Sequence, residues 1–212
     1  MRRLAAQAMG YELPDELDYG LQIEGARPRW LPKGRYVVGL HATARPDKTW
    51  AEDRWIELTR RLASEGVAVA LPWGDAAEEA RSARIADAVA GAIAPPKLSF
   101  TEIAALLAGA ATVVGVDTGL THLASAVGAP VVAIYAASWS EFNGVLGPGF
   151  VANLGGPGDA PDVEAVWAQT QRALKSGRTL GPWRANLGEP PPELAFRRRF
   201  RPSNARAVVH RR

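Results

Sequence analysis

No cysteine occurs among the 212 residues, which excludes a disulfide framework and thiolate chemistry. No apolar run approaches the roughly 20 residues that a membrane-spanning helix requires. The opening MRRLAAQAMG also lacks the apolar stretch of a secretory signal. Together these lacks set the expectation of a cytoplasmic protein. The fingerprint G-x-G-x-x-G is missing too, which argues against a nicotinamide or flavin enzyme. No repeat recurs at a fixed period.

What is present is a hydrophobic content of 47%, enough for a core in one large domain or one domain with appendages. The net charge of +3 is unevenly placed. Residues 178–212 hold nine Arg against two Glu, a net of +7, so residues 1–177 carry −4. The high pI therefore belongs to the tail, and an argument from it to nucleic acid or anionic lipid concerns the tail alone.

Along the chain, residues 3–9 read as the last turns of a helix stopped at Gly10, and residues 11–34 as an irregular connector punctuated by Pro14, Pro28 and Pro32. The expectation is that residues 1–34 connect an N-terminal domain to residues 35–177. That second stretch alternates strand and helix signals, with strands near 36, 67, 92, 112 and 131, and this alternation predicts an α/β doubly wound parallel sheet. Capping boxes are expected at Thr49–Glu52 and Ser99–Glu102. The segment 136–150 reads as a long loop positioned to close over a ligand, and a last helix is expected over 162–175. Residues 178–212, with Pro190 to Pro192 and the FRRRFR run, read as a disordered tail.

The chemical message is concentrated in residues 111–135, ATVVGVDTGLTHLASAVGAPVVAIY. A β-branched run, a break at Asp117-Thr118-Gly119, a short helix and a second buried strand form one strand-turn-helix-strand unit. Its turn lies at the carboxyl edge of a parallel sheet, where α/β proteins bind ligands. The first helical amides, of about Gly119 to His122, lack intrahelical partners and carry the positive end of the helix dipole, so a phosphate is the expected guest. Asp117 is positioned to cap the helix, Thr118 offers a hydroxyl, Gly119 removes a Cβ, and His122 in the first turn is expected as a neutral donor. Asp117 as a cap and nothing more is the plainer alternative. The aspartic-protease signature is a further one, but it needs an all-β setting and a second such Asp. Lys48 precedes a helix N-terminus, against the dipole preference; it reads either as a solvated lysine or as a phosphate partner. Glu78 and Glu79 read as solvated helix-start acids or as ribose partners.

The segments LHATARPDKTW (40–50), LPWG (71–74) with Glu78-Glu79 after it, and VDTGLTHLASAVGAPVVAIY (116–135) occur in the order and spacing of glycosyltransferase family 9. Across roughly residues 35–150 the chain resembles the C-terminal domain of that family, within it the lipopolysaccharide heptosyltransferase I group. The resemblance implies a Rossmann-like fold forming the C-terminal half of a GT-B glycosyltransferase. It implies a donor site for ADP-heptose and transfer of heptose to the Kdo of Kdo-lipid A, with inversion and no metal or other cofactor. Carried over by motif, Thr43 and Lys48 contact the donor diphosphate, Lys48 being the catalytic candidate. Glu78 binds the ribose and Leu98 lies along the adenine. Asp117, Thr118, Gly119, Leu120 and His122 hold the diphosphate and sugar. No Asp-x-Asp triplet of the metal-dependent glycosyltransferases occurs.

In this family the general base for the acceptor hydroxyl sits in the N-terminal domain, which has no counterpart here, so the chain alone is expected to bind donor without turnover, with the other half supplied by a separate chain. The family's acceptor is a membrane lipid, so peripheral contact with an anionic inner membrane is expected as well. Two departures stand out. Ala136-Ala137-Ser138-Trp139-Ser140 replaces the usual Gly/Ala-Pro-Thr-Asp-Pro, and Ala44 stands where relatives often carry a second hydroxyl. The competing expectation is a non-catalytic Rossmann-like module whose basic tail binds anionic lipid or nucleic acid.

Overall fold

The runs Tyr36–Leu40, Thr112–Val116 and Val131–Tyr135 are buried at every position. Successive side chains of a strand point to opposite faces, so a sheet built on such runs must be covered on both sides. The computed structural model describes residues 2–12, 17–23, 25–176 and 197–198. In chain order its elements are α1 (Arg2–Met9), β1 (Tyr36–Leu40), α2 (Glu52–Ser64), β2 (Ala68–Ala70), α3 (Ala76–Ala88), β3 (Ala92–Ile93), α4 (Phe100–Gly109), β4 (Thr112–Val116), α5 (Gly119–Ala126), β5 (Val131–Tyr135), α6 (Ser140–Asn143), β6 (Val151–Gly155) and α7 (Val163–Lys175). A separate two-residue antiparallel pairing joins Leu21–Gln22 to Arg197–Arg198. The tail expectation otherwise falls on residues outside those described. None of the described helices is long and apolar enough to cross a membrane.

Six strands form one parallel sheet in the order β3-β2-β1-β4-β5-β6. This is the Rossmann order, and the direction of winding reverses between β1 and β4. Alternation along the strands sorts the core into two layers. Tyr36, Val38, Leu40, Val113, Val131, Ala133 and Tyr135 face Leu106 and Leu107 of α4, Ala124 of α5 and Leu31 of the connector. Val37, Val69, Val114, Val116, Val132 and Ile134 face Trp55, Leu58 and Leu62 of α2, Ile85 of α3 and Val166 of α7. The doubly wound α/β sheet read from the sequence is the one observed.

The local signals explain most boundaries. Gly66 ends α2 and Gly128 follows α5, each with positive φ (73° and 80°) that a side chain would resist. Ser99 and Glu102 form the expected capping box on α4. The expected box at Thr49 is absent: α2 begins at Glu52 after Ala51, with no side-chain cap. The Thr49 hydroxyl instead donates to the Pro46 carbonyl at 2.6 Å, closing a 3-10 turn over Pro46–Lys48.

Beyond Tyr135 the chain is more ordered than its sequence predicts. The segment 136–150 contains α6, and a sixth strand, β6, lies after it at the sheet edge. Two polar groups fix the junction. The Tyr135 hydroxyl donates to the Asn143 carbonyl and accepts from the Val145 amide, both at 3.1 Å. Asn153 of β6 brackets the same residue, its Oδ1 accepting from the Val145 amide at 2.9 Å and its Nδ2 donating to the Val145 carbonyl at 3.1 Å.

A close approach seats α5 on the sheet. A Cβ at Gly115 would collide with the Thr121 hydroxyl and lie 3.1 Å from the Leu40 Cβ, and Thr121 is fixed because its hydroxyl donates to the Val116 carbonyl at 2.7 Å. Gly115→Ala is therefore expected to cost about 1–3 kcal/mol by overpacking. Thermal denaturation followed by circular dichroism should show a Tm lowered by at least about 2 °C.

Candidate functional site

The reversal of winding opens a crevice between the carboxyl ends of β1 and β4. A cavity of about 350 Å³ occupies it, lined by Leu40 and Ala42–Ala44 after β1, Pro72–Gly74 after β2, Glu78 of α3, Phe100 and Ile103 of α4, and Thr118–Leu120 at the start of α5. Every wall comes from a strand end or from a helix beside one. Five sequence candidates line it: Thr43, Glu78, Thr118, Gly119 and Leu120.

Lys48 and Asp117 meet beside this cavity, although 69 residues separate them. The Lys48 Nζ donates to Asp117 Oδ2 at 2.7 Å, and the side chains are 18% and 9% exposed. The Ser138 hydroxyl donates to the same oxygen at 2.6 Å. Burial pushes the Asp117 carboxyl up, but the hydrogen bonds from Lys48 and Ser138 outweigh it, with the charges of Lys48 and His122 helping, and the net direction is down. The carboxylate is thus held ionised. His122 is 43% exposed, and its Nε2 stands 3.9 Å from Asp117 Oδ1, beyond hydrogen-bond reach.

Two expectations are corrected. Asp117 does not cap α5: Thr118 occupies the cap position and makes no side-chain cap bond, because the Asp117 carboxylate is turned to Lys48 and Ser138. The free amides are fewer than the four expected. Those of Thr121 and His122 both donate to the Thr118 carbonyl, at 3.1 and 3.4 Å, while no hydrogen bond among the described residues engages the amides of Gly119 and Leu120. Leu98 packs, partly buried, against the core cluster, and the apolar wall of the cavity includes Trp73, Phe100 and Ile103.

Phe100, Ile103 and Ser138 were not marked as site residues in the sequence, and Trp73 entered only within the LPWG segment. Trp73 sits in the turn after β2, its Nε1 donating to the Pro95 carbonyl at 2.7 Å and the Lys97 ammonium 6.0 Å over its ring. Its place after a strand in a parallel sheet was the available signal. Phe100 is 60% exposed and gave no local signal. Glu78 accepts the Gly74 amide at 2.7 Å through Oε2, and no hydrogen bond among the described residues engages its other carboxylate oxygen. Thr43 is loosely held, accepting the Arg45 amide at 3.4 Å. Among the described residues no three His, Asp or Glu side chains converge to hold a metal ion.

The loop that carries Thr43 and Lys48 departs from β1 at a buried histidine. His41 Nε2 lies 2.7 Å from the Ser82 hydroxyl, and that hydroxyl donates its proton to the Leu71 carbonyl at 2.9 Å. Ser82 must then accept from His41, which assigns the proton to Nε2 and leaves Nδ1 as a buried lone pair without a partner. Burial first and the Arg81 charge second lower the His41 pKa from 6.5 to about 4, against a smaller opposite pull from Glu52.

Comparison with known proteins places this geometry. The profile of glycosyltransferase family 9 (heptosyltransferase) matches residues 1–169. The chain is 42% identical to lipopolysaccharide heptosyltransferase 1 of Pseudomonas aeruginosa over 147 residues, 69% of this chain and 41% of that protein. It is 39% identical to the Escherichia coli K12 protein of the same name over 155 residues, 73% of this chain and 46% of the other. The chain thus spans less than half the length of these relatives. Among solved structures, E. coli heptosyltransferase WaaC with ADP superposes with a TM-score of 0.66 at 34% identity, covering 81% of this chain and 55% of that one. WaaC with ADP-2-deoxy-2-fluoro heptose gives 0.61 at 33% identity, covering 82% and 53%.

The buried histidine generates a pH prediction. Its folded pKa lies below its unfolded one, so its contribution is fully present above pH 6.5 and is lost as pH falls toward 4, when only the unfolded chain takes up the proton. The loss is on the order of 3 kcal/mol. Urea denaturation at pH 7, 5.5 and 4.5 should show wild type losing stability faster than His41→Gln across that window.

Proposed function

Because the chain belongs to glycosyltransferase family 9, the heptosyltransferases, we propose that it is the donor-binding, C-terminal half of a GT-B lipopolysaccharide heptosyltransferase I. Its donor is ADP-heptose, and the heptose goes to the Kdo of Kdo-lipid A with inversion at the anomeric carbon. The observation that carries the reading is the meeting of Lys48 and Asp117 across the crevice, 2.7 Å apart, next to the open amides of Gly119 and Leu120.

Each part of the donor finds a matching wall. The adenosine moiety lies in the apolar part of the cavity, among Trp73, Phe100, Ile103 and Leu120, with Glu78 accepting from the ribose. The diphosphate lies against Gly119, Leu120, Thr43 and Lys48. A helix N-terminus and an ammonium are both suited to negative charge. The heptose then projects from the diphosphate past Thr118 and His122.

Breaking the sugar-phosphate bond leaves negative charge on the departing ADP while the sugar becomes cation-like. Lys48 and the two amides stabilise that developing charge, and they are already in place before the bond breaks. Asp117 keeps the ammonium aimed without being available as a base, since Lys48 and Ser138 hold its carboxyl below the usual range. The acceptor hydroxyl needs a general base. We assign that base to the half of the enzyme that lies outside the matched part of the relatives, facing the cavity from the acceptor side at the membrane surface.

Calorimetric titration with ADP-heptose tests the assignment. Wild type is expected to bind and to turn over nothing by itself. Lys48→Ala removes a charge-assisted contact worth about 1.5–3 kcal/mol, so affinity should fall by about 10- to 100-fold. No heat at millimolar ligand, or equal affinity in the variant, would remove the reading.

A further inference from the structure

Arg81 does not line the cavity, yet both of its terminal nitrogens are spent on the ends of the loop that does. Nη1 donates to the His41 carbonyl at 3.3 Å, and Nη2 donates to the Trp50 carbonyl. His41 comes directly after the last residue of β1 and Trp50 lies just before α2, so one guanidinium closes the base of the loop over residues 42–49. That loop carries Thr43 and Lys48. The next residue on α3, Ser82, grips the same point through the His41 ring at 2.7 Å. One turn earlier on the same helix, Glu78 lines the cavity.

The grip is specific to a planar fork. Two donors at a fixed separation set the separation of two carbonyls, which a single ammonium or a neutral chain cannot do. The Arg81 side chain is 16% exposed, and its Nε, 3.7 Å from Glu52 Oε2, makes no hydrogen bond. Its polar contacts are therefore directed mainly at the two carbonyls. Apart from the Lys48–Asp117 ion pair near its end, the loop has few bonds that fix its shape. Its internal bonds are local: the Arg45–Asp47 ion pair, the 3-10 turn, and the 3.4 Å contact of Thr43. Residues 44–47 at its tip are exposed.

The geometry points to Arg81 as a positioning residue for donor binding, which fixes the base of the 42–49 loop and so holds Lys48 opposite the α5 amides without touching the ligand. The inference rests on the reading of the Lys48 side as the diphosphate subsite. A further consequence is that α3 sets two walls at once, the ribose side through Glu78 and the phosphate side through Arg81.

The test compares wild type, Arg81→Met and Arg81→Lys in NMR titrations with ADP and with adenosine, and in trypsin digestion without ligand. ADP affinity is expected to fall by about tenfold or more in Arg81→Met and by less in Arg81→Lys, with adenosine affinity changed by less than about twofold. In a Lys48→Ala background, Arg81→Met should cost less than about a further twofold, because the group it positions is already gone. Without ligand, cleavage after Lys48 should be faster in Arg81→Met than in wild type. Equal losses for ADP and adenosine, additivity with Lys48→Ala, or unchanged cleavage after Lys48 would overturn the assignment. Should Arg81→Met not fold, Arg81→Lys carries the same comparisons. Failure of wild type to bind ADP would sink the reading of the subsite, while the cleavage rates still judge Arg81.

Discussion

One ion pair ties the two sides of the crevice together. Lys48 arrives from the loop after β1 and Asp117 from the turn after β4, and their 2.7 Å contact spans the place where the sheet reverses its winding. Taking both charges out of water is costly, and only the added hydrogen bond from Ser138 and the partial exposure of Lys48 make the arrangement tolerable. A pair placed there to stabilise the fold would be a poor choice. A pair placed there to aim a cation at an incoming anion is a sensible one, because the carboxylate fixes the direction of the ammonium while leaving its other donors free.

Much of the scaffold was legible because β1, β4 and β5 are almost wholly apolar and buried throughout, and such runs admit few alternatives once helices alternate with them. β6 was not. It is an edge strand, and its Asn153 serves the Val145 backbone, so its sequence carries a polar residue where a buried strand carries an aliphatic one. The start of α2 was misread for a similar reason: the Thr49 hydroxyl turns back to Pro46, and nothing in the local pattern distinguishes that from a cap. In both cases a side chain with two options takes the one offered by its neighbours in space.

The candidate site divides the same way. Residues on the strand-turn-helix unit, Thr118 to Leu120, were visible because local backbone chemistry defines them. Lys48 could be marked as out of place against its helix, but its partner lies 69 residues on, and no spacing rule connects the two. Leu98 enters by resemblance alone, and Phe100 and Ile103, which line the cavity from α4, carry no mark in the local pattern. Arg81 looks in sequence like any solvated arginine on a helix; only the positions of two distant carbonyls reveal its task.

The buckle formed by Tyr135 and Asn153 has a consequence for recognition. It nails the far end of the segment after β5 to the sheet, and Ser138 anchors the near end to Asp117. Only the short arc between them, with Trp139 and Phe142 at 58% and 84% exposure, has latitude to adjust. The segment is therefore a tethered awning rather than a swinging door. Its aromatic fringe hangs in solvent, and its travel is set by the two knots at its ends.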